Sequence, residues 1–504
     1  MSQSSSYDVV VVGSGLGGLL SAVLLAKEGM KVCVLEKNKQ IGGCLQTFAV
    51  QKKVFDSCVH YIGGLGEGHT LNRIFTYAGI MNKLELKALD RNGYDHIAFG
   101  DDAVEYPLAC GAQNFTDQLL PYFPAERKAL ERYPQLISEV TSRFPMYHLR
   151  MGDPEEKMAV TGWELSEKLA ALTDNKVLQQ VLAGNNLLYA GVPGKTPFYL
   201  HALVTESYMH SVHKIVPGSS QISKFLWQEL QQHGGEIVRN DAVVKLVSEQ
   251  GKIIAAQTEN GQRYDGRQFI AAIHPALLAG MMDNSLLRPA FHRRIDALEQ
   301  SSPAFCLNLV LSPGKVPYKA HNLYWHKDWN AFSAVNDLRE WPSTYAAYFT
   351  EDPAHPGYAA TVAILTYMPY DKVALWKDTL NHTGMPAPRG KEYDLFKAEA
   401  GEQLLECVCR RMPAIRHHIV ARNISTPLTY RDYTGTPGGA LYGILKDVTN
   451  ATATTIATRT KVPNLFLTGQ NINLHGVLGV SITALITVSE LIGMEYLLKK
   501  INNC

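Results

Sequence analysis

The clearest indication of a chemical function is the spacing between a glycine-rich turn and an acidic residue downstream of it. The turn runs Gly13-Ser14-Gly15-Leu16-Gly17-Gly18, a G-x-G-x-x-G pattern, and Glu36 follows eighteen residues after Gly18. Gly13 permits a tight turn, Gly15 lets a pyrophosphate approach the backbone, and Gly18 lets a helix pack closely on a strand. Glu36 is placed to accept hydrogen bonds from an adenosine ribose. The pattern predicts a dinucleotide site.

Two strands and a helix must hold these residues in place. Residues 9–12 are four valines, which is typical of a buried strand, and residues 31–35 form a second apolar run that delivers Glu36. Residues 19–28 between them are predicted to be helical. Phosphate groups would lie at the start of this helix, where free N–H groups and the helix dipole favour anions. The order of elements favours a dinucleotide site over a glycine turn that binds nothing.

The residues after Glu36 indicate which dinucleotide is bound. Glu36-Lys37, a short loop and Ile41-Gly42-Gly43 resemble the signature of FAD proteins of the glutathione-reductase or amine-oxidase type. In that fold the glycine pair lets the chain pass close to the phosphates and ribityl chain. No second G-x-G-x-x-G with a leading strand occurs in the sequence, so a dedicated NAD(P)H domain is not expected. FAD is the predicted cofactor.

Two later segments are expected to complete the cofactor site. Residues 234–272 contain the strong hairpin signal Asn260-Gly261 and resemble the second FAD-contacting block, where the backbone near Val243 meets the adenine. Residues 462–479 comprise a short apolar strand, a polar glycine loop and a helix start that suits phosphate or ribityl. The predicted cofactor-binding residues are Gly13, Ser14, Gly15, Leu16, Gly17, Gly18, Glu36, Lys37, Gly42, Gly43, Val243, Gly469, Gln470, Gly476 and Val477.

The length of 504 residues exceeds what one core supports, so two or more domains are expected. The predicted fold class is α/β, with a Rossmann-like FAD-binding domain of the glutathione-reductase or amine-oxidase type and an inserted α+β substrate domain. The FAD-binding domain is predicted from residues 1–75, 214–290 and 416–504. The substrate domain is predicted from residues 76–213 and 291–415, with the flavin ring between the two domains.

Composition and charge exclude several classes of protein. Hydrophobic residues make up 46% and charged residues 19%, which are globular values, and a net charge of +1 gives no argument for nucleic-acid binding. The eight cysteines are scattered, which indicates reduced thiols in a cytoplasmic protein, and no metal-ligand spacing stands out. Residues 1–7 lack the basic start and apolar core of a signal peptide. Residues 477–498 are apolar but carry Glu490 and Glu495, so a helix packed on the FAD-binding domain is predicted there.

Three motifs make the chain resemble the carotenoid desaturase, isomerase and retinol saturase group of flavoproteins over nearly its whole length. Phe55-Asp56-x-x-Val59-His60-Tyr61-Ile62-Gly63, Leu467-Thr468-Gly469-Gln470 and residues 427–443 are most similar to the retinol saturase branch. Desaturases carry arginine after the glycine pair and an acid after the late glycine, where this chain has Cys44 and Gln470. The resemblance implies a polyene or isoprenoid lipid as substrate and an external electron donor.

His60, Tyr61 and His475 are the predicted catalytic residues. In the resembled fold the segment after the glycine pair runs beside the flavin, which would bring His60 and Tyr61 close to the ring. Reduction of an activated alkene needs a hydride on one carbon and a proton on the next, and histidine donates protons near neutral pH. Tyr61 could hold a polar head group. The alternative for both histidines is a satisfied structural role.

Three functions stay open at this point. The first is saturation of a double bond in an apolar polyene, favoured because the arginine and the acid of the desaturase pattern are missing. The second is desaturation or cis–trans isomerisation of a carotenoid with the same flavin. The third is a prenyl-binding carrier like the Rab GDP-dissociation inhibitors, which share the fold without using flavin. Peripheral contact with a membrane is expected because the implied substrate is a lipid.

Overall fold

Two large β-sheets organise the chain, and the computed structural model describes residues 6–153, 155–283, 286–287, 289–332, 340–381 and 388–504. Residues 1–5 of the polar N-terminal stretch lie outside this range. The strands are β1 (Ser6–Val12), β2 (Val32–Glu36), β3 (Thr47–Val50), β4 (Lys53–Asp56), β5 (Ile62–Gly63), β6 (Leu86–Ala88), β7 (Asp95–Phe99), β8 (Tyr106–Leu108), β9 (Val212–Ile215), β10 (Glu236–Arg239), β11 (Val243–Glu249), β12 (Lys252–Thr258), β13 (Arg263–Ala271), β14 (Ala304–Leu311), β15 (Asn322–His326), β16 (Thr344–Asp352), β17 (His355–Tyr367), β18 (Ile419–Ser425) and β19 (Leu465–Leu467).

The helices cover both sheets, and short 3₁₀ turns join many of them to the strands. The helices are α1 (Leu16–Lys27), α2 (Thr70–Ala78), α3 (Ala112–Leu119), α4 (Arg127–Thr141), α5 (Met158–Thr161), α6 (Leu165–Leu172), α7 (Lys176–Leu182), α8 (Phe198–His210), α9 (Ser220–Gln232), α10 (Pro275–Gly280), α11 (Pro289–Asp296), α12 (Lys391–Arg411), α13 (Pro427–Thr434), α14 (Ala451–Thr454), α15 (Gly476–Ile492) and α16 (Met494–Asn502).

The first sheet has the strand order β10-β2-β1-β13-β12-β11, with β19 beside β13. β1 is parallel to both β2 and β13, and β10 and β19 extend this parallel part on either side. Helices α1, α9 and α15 pack together over one face. Because both faces are covered, Val9, Val10 and Val11 are fully buried, which explains the unbroken apolar run in the sequence.

Helix α1 follows β1 through the glycine turn and is buried along most of its length. Gly15 is its N-cap in an extended conformation, and no side chain caps the free N–H groups there. A Cβ atom on Gly18 would overlap the carbonyl oxygen of Gly13 and lie 3.0 Å from the side chain of Ala272. The absence of a side chain at Gly18 therefore allows the helix to lie directly against the sheet.

The second sheet has the order β18-β14-β17-β16-β15-β7-β8 and is antiparallel except between β7 and β15. Helix α12 covers one of its faces, where Leu404 and Val408 join the same hydrophobic cluster as Leu307 and Ile364. The opposite face meets the large hydrophobic cluster, which includes residues of α2 to α8 and also of α1 and α15. Both faces of this sheet are therefore covered.

Sheet membership differs from the predicted units at one strand. Strand β18 lies within residues 416–504, which are predicted for the cofactor unit, and it pairs antiparallel with β14 in the second sheet. Its residues alternate between half-buried and exposed, as in an edge strand, and such a pattern does not identify the neighbouring strand. The other strands of the first sheet come from the segments predicted for the cofactor unit.

The apolar C-terminal run forms α15 and α16, which are separated at Gly493. Helix α15 packs against α1, and α16 packs against α2. In the part of the chain that the structure describes, no helix combines the length and apolar character needed to cross a bilayer. The prediction that this run packs on the cofactor unit is confirmed.

We expect Gly18→Ala to destabilise the fold while Gly15→Ala leaves stability unchanged. A methyl group on Gly18 forces α1 away from β1, which we expect to cost about 1–3 kcal/mol or more. A Cβ on Gly15 meets no heavy atom within 4 Å and its φ is −61°, so this variant is the matched control. Thermal unfolding of the two apoproteins makes the comparison. Equal melting temperatures for Gly18→Ala and wild type would contradict the packing argument.

Candidate functional site

A cavity of about 720 Å³ lies between the first sheet and the second. This volume is within the range of small-molecule and cofactor sites. Its walls come from the beginning, the middle and the end of the chain. One end is formed by the glycine turn after β1, Gly42-Gly43, β11 and the loop after α13, and the other end by aromatic and aliphatic side chains from α8, β16 and β17.

The glycine turn and the glycine pair lie against each other at the polar end of the cavity. Gly13 and Gly42 have φ of +99° and +113°, values that favour glycine. The amide of Gly42 donates to the carbonyl of Ser14 at 3.0 Å, and Gly42 forms a parallel bridge with Gly15. Because nothing occupies the space in front of Gly15, the backbone there is open to a phosphate group at the N-terminus of α1.

Glu36 is held at the end of β2 by hydrogen bonds from the glycine turn. Its Oε2 accepts from the backbone N–H and the hydroxyl of Ser14 at 2.9 and 2.6 Å, and its Oε1 accepts from the Asn38 amide at 2.8 Å. An ionised carboxylate has about four acceptor positions, so one remains for a ligand hydroxyl. Only 5% of Glu36 is exposed, and that part faces the cavity. The geometry suits recognition of a ribose.

A second helix N-terminus points at the same cavity. Helix α15 starts after His475, and no side chain caps its free N–H groups. Gly469 and Gly476 have positive φ, and a Cβ at either position would meet no heavy atom within 4 Å. Gln470 lies beside them on the cavity wall. Two uncapped helix starts and open backbone at three glycines form a cradle that suits the phosphates and the polar chain of a dinucleotide.

The structure brings nearly all of the predicted cofactor-binding residues to this cavity. The exception is Gly18, which packs behind the turn and has no contact with the space. The residues that line the cavity are Gly13, Ser14, Gly15, Leu16, Gly17, Glu36, Lys37, Gly42, Gly43, Val243, Gly469, Gln470, Gly476 and Val477. The Lys37 amine donates to the carbonyl of Asp432 at 2.8 Å, and burial lowers its pKa. Lys37 therefore supports the wall at Asp432.

The far end of the cavity is an apolar chamber with aromatic walls. Leu200, Leu203 and Val204 of α8 line it together with Tyr348 of β16 and Leu365 of β17. All of these residues except Val204 are buried in the described structure. A chamber of this kind favours an elongated apolar ligand because burying its surface releases water from apolar groups.

His60 lies in the chamber wall, stacked on Tyr348 with ring centroids 4.3 Å apart. Its Nε2 is buried and has no hydrogen-bond partner within the protein. Burial, together with the positive charge of Lys214, lowers the pKa of His60 to about 3. The imidazole is therefore neutral at pH 7, able to give or accept a hydrogen bond but unsuited to serve as a charged acid.

His475 lies in the cavity wall but is engaged in a backbone contact. Its Nε2 is 3.0 Å from the carbonyl oxygen of Leu188, and its ring lies 4.4 Å from that of Tyr442. Burial lowers the pKa of His475 to about 4, so this imidazole is also neutral at pH 7. As the residue that precedes α15, His475 orients the start of that helix.

Tyr61 connects the chamber to a buried carboxyl group that the sequence argument did not identify. Its hydroxyl lies 2.8 Å from Oδ2 of Asp95 and 2.6 Å from the hydroxyl of Tyr324, which lies 3.3 Å from the hydroxyl of Tyr348. Asp95 is fully buried and also accepts from Asn322 at 2.9 Å. Burial raises the pKa of Asp95 to about 7, so its carboxyl binds a proton near neutral pH.

Asp95, Tyr324 and Tyr348 are thus site residues that sequence reasoning missed. The available signal was the acid Asp95 at the start of the strand Asp95–Phe99, in which Ile97, Ala98 and Phe99 are apolar and buried. A charged residue facing inward on a strand is costly unless it has partners, so such a position indicates a specific role. Its partners are Tyr61, 34 positions away, and Asn322 of β15, 227 positions away, and no local spacing could name them.

One further cluster lies outside the cavity. His96, Glu105 and His321 bring potential ligand atoms within 4.8 Å of one another. The imidazoles of His96 and His321 are stacked at 3.8 Å, and Glu105 also faces Arg411 at 3.6 Å. Burial would raise the pKa of Glu105, but the hydrogen bond with His96 and the charges of Lys319 and Arg411 lower it to about 2. The positive charges make this cluster an ion-pair network unsuited to a metal ion.

Comparison with known proteins agrees with this geometry. Residues 11–78 match the family described as "NAD(P)-binding Rossmann-like domain". The chain is 26% identical to the all-trans-retinol 13,14-reductase of Danio rerio, over 96% of this chain and 86% of that protein. It is 22% identical to prolycopene isomerase 1 of an Oncidium hybrid, over 88% and 76%, and 25% identical to a flavin-containing amine oxidase of Oncorhynchus mykiss, over 61% and 58%.

Solved structures share the fold at low sequence identity. An oxidoreductase from Methanosarcina mazei aligns with a TM-score of 0.63 at 15% identity, over 96% of this chain and all of that one. Putrescine oxidase aligns at 0.65 and 14%, over 97% and 99%. A Rab GDI from Plasmodium falciparum aligns at 0.52 and 13%, over 97% and 99%. The predicted fold class is confirmed, and it is common to enzymes and to a GDI.

These relatives make the chain an enzyme of the oxidoreductase class with a flavin cofactor. Its sequence fits the retinol saturase and carotenoid desaturase group, since a retinol 13,14-reductase and a prolycopene isomerase both align with most of it. The G-x-G-x-x-G turn of the matched Rossmann-like segment occurs in both NAD(P) and FAD proteins. The predictions of family and enzyme class are confirmed.

We expect the buried carboxyl of Asp95 to make stability depend on pH. Its pKa is raised from 3.8 to about 7, so the folded protein binds this proton more tightly than the unfolded chain. The resulting stabilisation is full below about pH 4 and is lost as the pH rises to about 7, a change on the order of 3 kcal/mol. Asp95→Asn should lack this dependence, so it gains stability relative to wild type between pH 4.5 and 8 in thermal unfolding.

The exposed carboxyl of Asp101 supplies the matched control for this measurement. Asp101→Asn should follow the wild-type pH dependence throughout. A constant difference between Asp95→Asn and wild type across this pH range would show that Asp95 is ionised in the folded protein at all of these values.

Proposed function

We propose that this protein is an FAD-dependent oxidoreductase that adds two hydrogen atoms across a carbon–carbon double bond of an apolar polyene lipid. One observation carries the proposal. A single cavity joins a dinucleotide cradle to an aromatic and aliphatic chamber, so cofactor and lipid would meet inside the protein. The names of the retinol 13,14-reductase and prolycopene isomerase relatives support a polyene as the substrate class.

We propose FAD as the specific flavin because the residues at both ends of the cradle suit its two halves. Glu36 and the backbone near Val243 would hold the adenosine, and the glycine turn at the start of α1 would hold the pyrophosphate. Gly469, Gln470 and the start of α15 would hold the ribityl chain and the edge of the ring. Gln470 provides hydrogen bonds without placing a negative charge beside the phosphates. FMN would leave the Glu36 end of the cradle unused.

A bound flavin supplies a hydride equivalent, and the second hydrogen must come as a proton. Tyr61 is the proposed donor of that proton because it lines the cavity and its hydroxyl is hydrogen-bonded to Asp95. When Asp95 is protonated, its carboxyl donates to Oη of Tyr61, and the phenol proton can turn towards the chamber. Asp95 would then return the proton that Tyr61 gives up. General acid catalysis of this kind typically contributes 10²–10⁴-fold in rate.

His60 and His475 take supporting roles in this proposal. The neutral imidazole of His60, stacked on Tyr348 and without a protein partner for Nε2, would bond to the cofactor or to the lipid. His475 would fix the start of α15, whose dipole favours negative charge on the nearby ring edge. The leucines of α8 would exclude water from the reacting carbons and so strengthen electrostatic interactions in the chamber.

The other two functions remain as alternatives, and each predicts a different experimental result. A desaturase or cis–trans isomerase would use the same cavity, and the missing arginine and acid at Cys44 and Gln470 argue for reduction. A prenyl-binding carrier shares the fold, but it has no need for a ribose acceptor at Glu36 or an open cradle at Gly15.

We also propose an external electron donor, a cytoplasmic location and contact with a membrane surface. An apolar lipid would enter the protein from that surface.

We expect Glu36→Ala to weaken FAD binding by about 1.5–3 kcal/mol, because a hydrogen bond from the ribose to a charged group is lost. Titration of the apoprotein with FAD measures the change. Glu36→Gln should lie between wild type and Glu36→Ala, and Glu249→Ala, an exposed acid on β11, is the control. An unchanged dissociation constant in a variant with normal thermal stability would refute the ribose assignment.

We expect the reduced enzyme, and not the oxidised one, to react with the polyene. The protein is reduced with dithionite without oxygen, excess reductant is removed, and a candidate polyene is added. Return of the oxidised flavin spectrum together with a gain of two hydrogens in the lipid is the expected result. Loss of two hydrogens with oxidised enzyme would establish a desaturase, and a shifted geometry at constant mass would establish an isomerase.

In the same assay, the variant Tyr61→Phe tests the proton donor while the rest of the site is unchanged. The phenyl ring keeps the packing but lacks the hydroxyl, so reoxidation by the polyene should slow about 10²–10⁴-fold. FAD binding and reduction by dithionite should stay at wild-type levels. A wild-type rate of reoxidation in this variant would exclude Tyr61 as the proton donor.

A further inference from the structure

Two cysteines face the cavity beside the cofactor cradle and have no part in the mechanism above. Cys44 directly follows the glycine pair, and Cys58 precedes the segment that contains His60. Both line the cavity and both are free thiols of intermediate exposure. None of the other six cysteines lines this space.

The β3–β4 hairpin brings these two cysteines together. Thr47 pairs with Asp56, and the Ser57 amide donates to the carbonyl of Gln46 at 3.1 Å, which extends the pairing past the strand ends. Beyond this hydrogen bond, Cys58 follows Ser57 directly and Cys44 lies two residues before Gln46, in the 3₁₀ turn Gly43–Leu45. The hairpin therefore brings the two segments that carry the cysteines side by side.

The two thiols are in direct contact. The side chain of Cys58 hydrogen-bonds to the sulfur of Cys44, which lowers the pKa of Cys44 and raises the pKa of Cys58 well above its ordinary value. Such an asymmetric pair has one sulfur that reacts readily as a thiolate and a second that can close a disulfide. Cys306 is also near Cys58, but its Sγ donates to Asn308 at 3.5 Å and it does not line the cavity.

We propose that Cys44 and Cys58 form a redox-active pair that takes electrons from an external dithiol and passes them to the cofactor. This inference rests on the proposed function, because reduction of a double bond consumes two electrons in each turnover. The location fits the task, since both cysteines line the cavity, Cys44 directly after the glycine pair of the cradle and Cys58 two residues before His60. A small dithiol would reach it through the substrate chamber before the lipid binds.

The electrons and protons balance over two steps. In the first, the external dithiol reduces the Cys44–Cys58 disulfide by thiol–disulfide exchange, so two S–H groups form in the protein and a disulfide forms in the donor. In the second, the protein dithiol is oxidised back to the disulfide. Its two electrons and one proton reduce the cofactor, and the other proton is released to solvent.

The first experiment examines the pair in the protein without cofactor. The apoprotein is equilibrated with mixtures of reduced and oxidised dithiothreitol, free thiols are alkylated, and peptides are identified by mass spectrometry. We expect a reversible disulfide that joins Cys44 to Cys58 and is absent from Cys44→Ser and Cys58→Ser, while Cys306→Ser and Cys504→Ser retain it. Absence of this disulfide at every ratio, or a disulfide from Cys58 to Cys306, would overturn the proposal.

The second experiment follows electron delivery in the FAD-loaded protein. For each variant, the rate of flavin bleaching by dithiothreitol without oxygen is divided by its rate with dithionite, which needs no thiol pair. We expect this ratio to fall at least tenfold in Cys44→Ser and Cys58→Ser and to stay constant in Cys306→Ser and Cys504→Ser. An unchanged ratio in the first two variants would overturn the proposal.

The two hypotheses can fail separately. If wild-type protein reduced with dithionite leaves the polyene unchanged, the proposed saturation is wrong, and the disulfide and bleaching measurements still decide the role of the cysteines. If the lipid is reduced but dithiothreitol delivers electrons equally well to the serine variants, saturation stands and the thiol pair is structural.

Discussion

The close approach of helix α1 to strand β1 is the constraint on which the site depends. With no side chain at Gly18, the first turn of the helix lies against Gly13, and the unbonded N–H groups end at the cavity. Gly17 is similarly close to Gly469, so the late loop is brought to the same point. The polar end of the cavity is therefore built from backbone, and its shape depends on the packing behind it.

The chamber end follows a different principle, because its polar groups are side chains removed from water. Tyr61, Tyr324 and Tyr348 form a hydrogen-bonded chain that ends at Asp95, in surroundings where an isolated carboxylate would be expensive. Burial turns Asp95 into a group that exchanges protons near neutrality, while the same burial keeps His60 uncharged. The environment, more than residue type, decides which side chain can supply a proton.

The sequence was sufficient to predict which residues come together in the cradle and insufficient for the chamber. The Gly13–Gly18 turn, Glu36 and the glycine pair are separated by short, fixed spacings, and the backbone geometry they require has few alternatives. The tyrosine chain joins strands β7, β15 and β16 through contacts between side chains distant in sequence. The pairing of β18 with β14 could not be predicted for the same reason, since the pattern of a strand indicates its exposed face and not its neighbour.

The position of β19 has a consequence for how the protein is made. This short strand completes the parallel part of the first sheet by pairing with β13, and the loop after it closes the cradle. About 190 residues separate the two strands, which corresponds to on the order of 10–40 s of synthesis. During that interval the edge of β13 has no partner from β19. Capture of the cofactor must therefore wait until β19 and the loop after it have been synthesised.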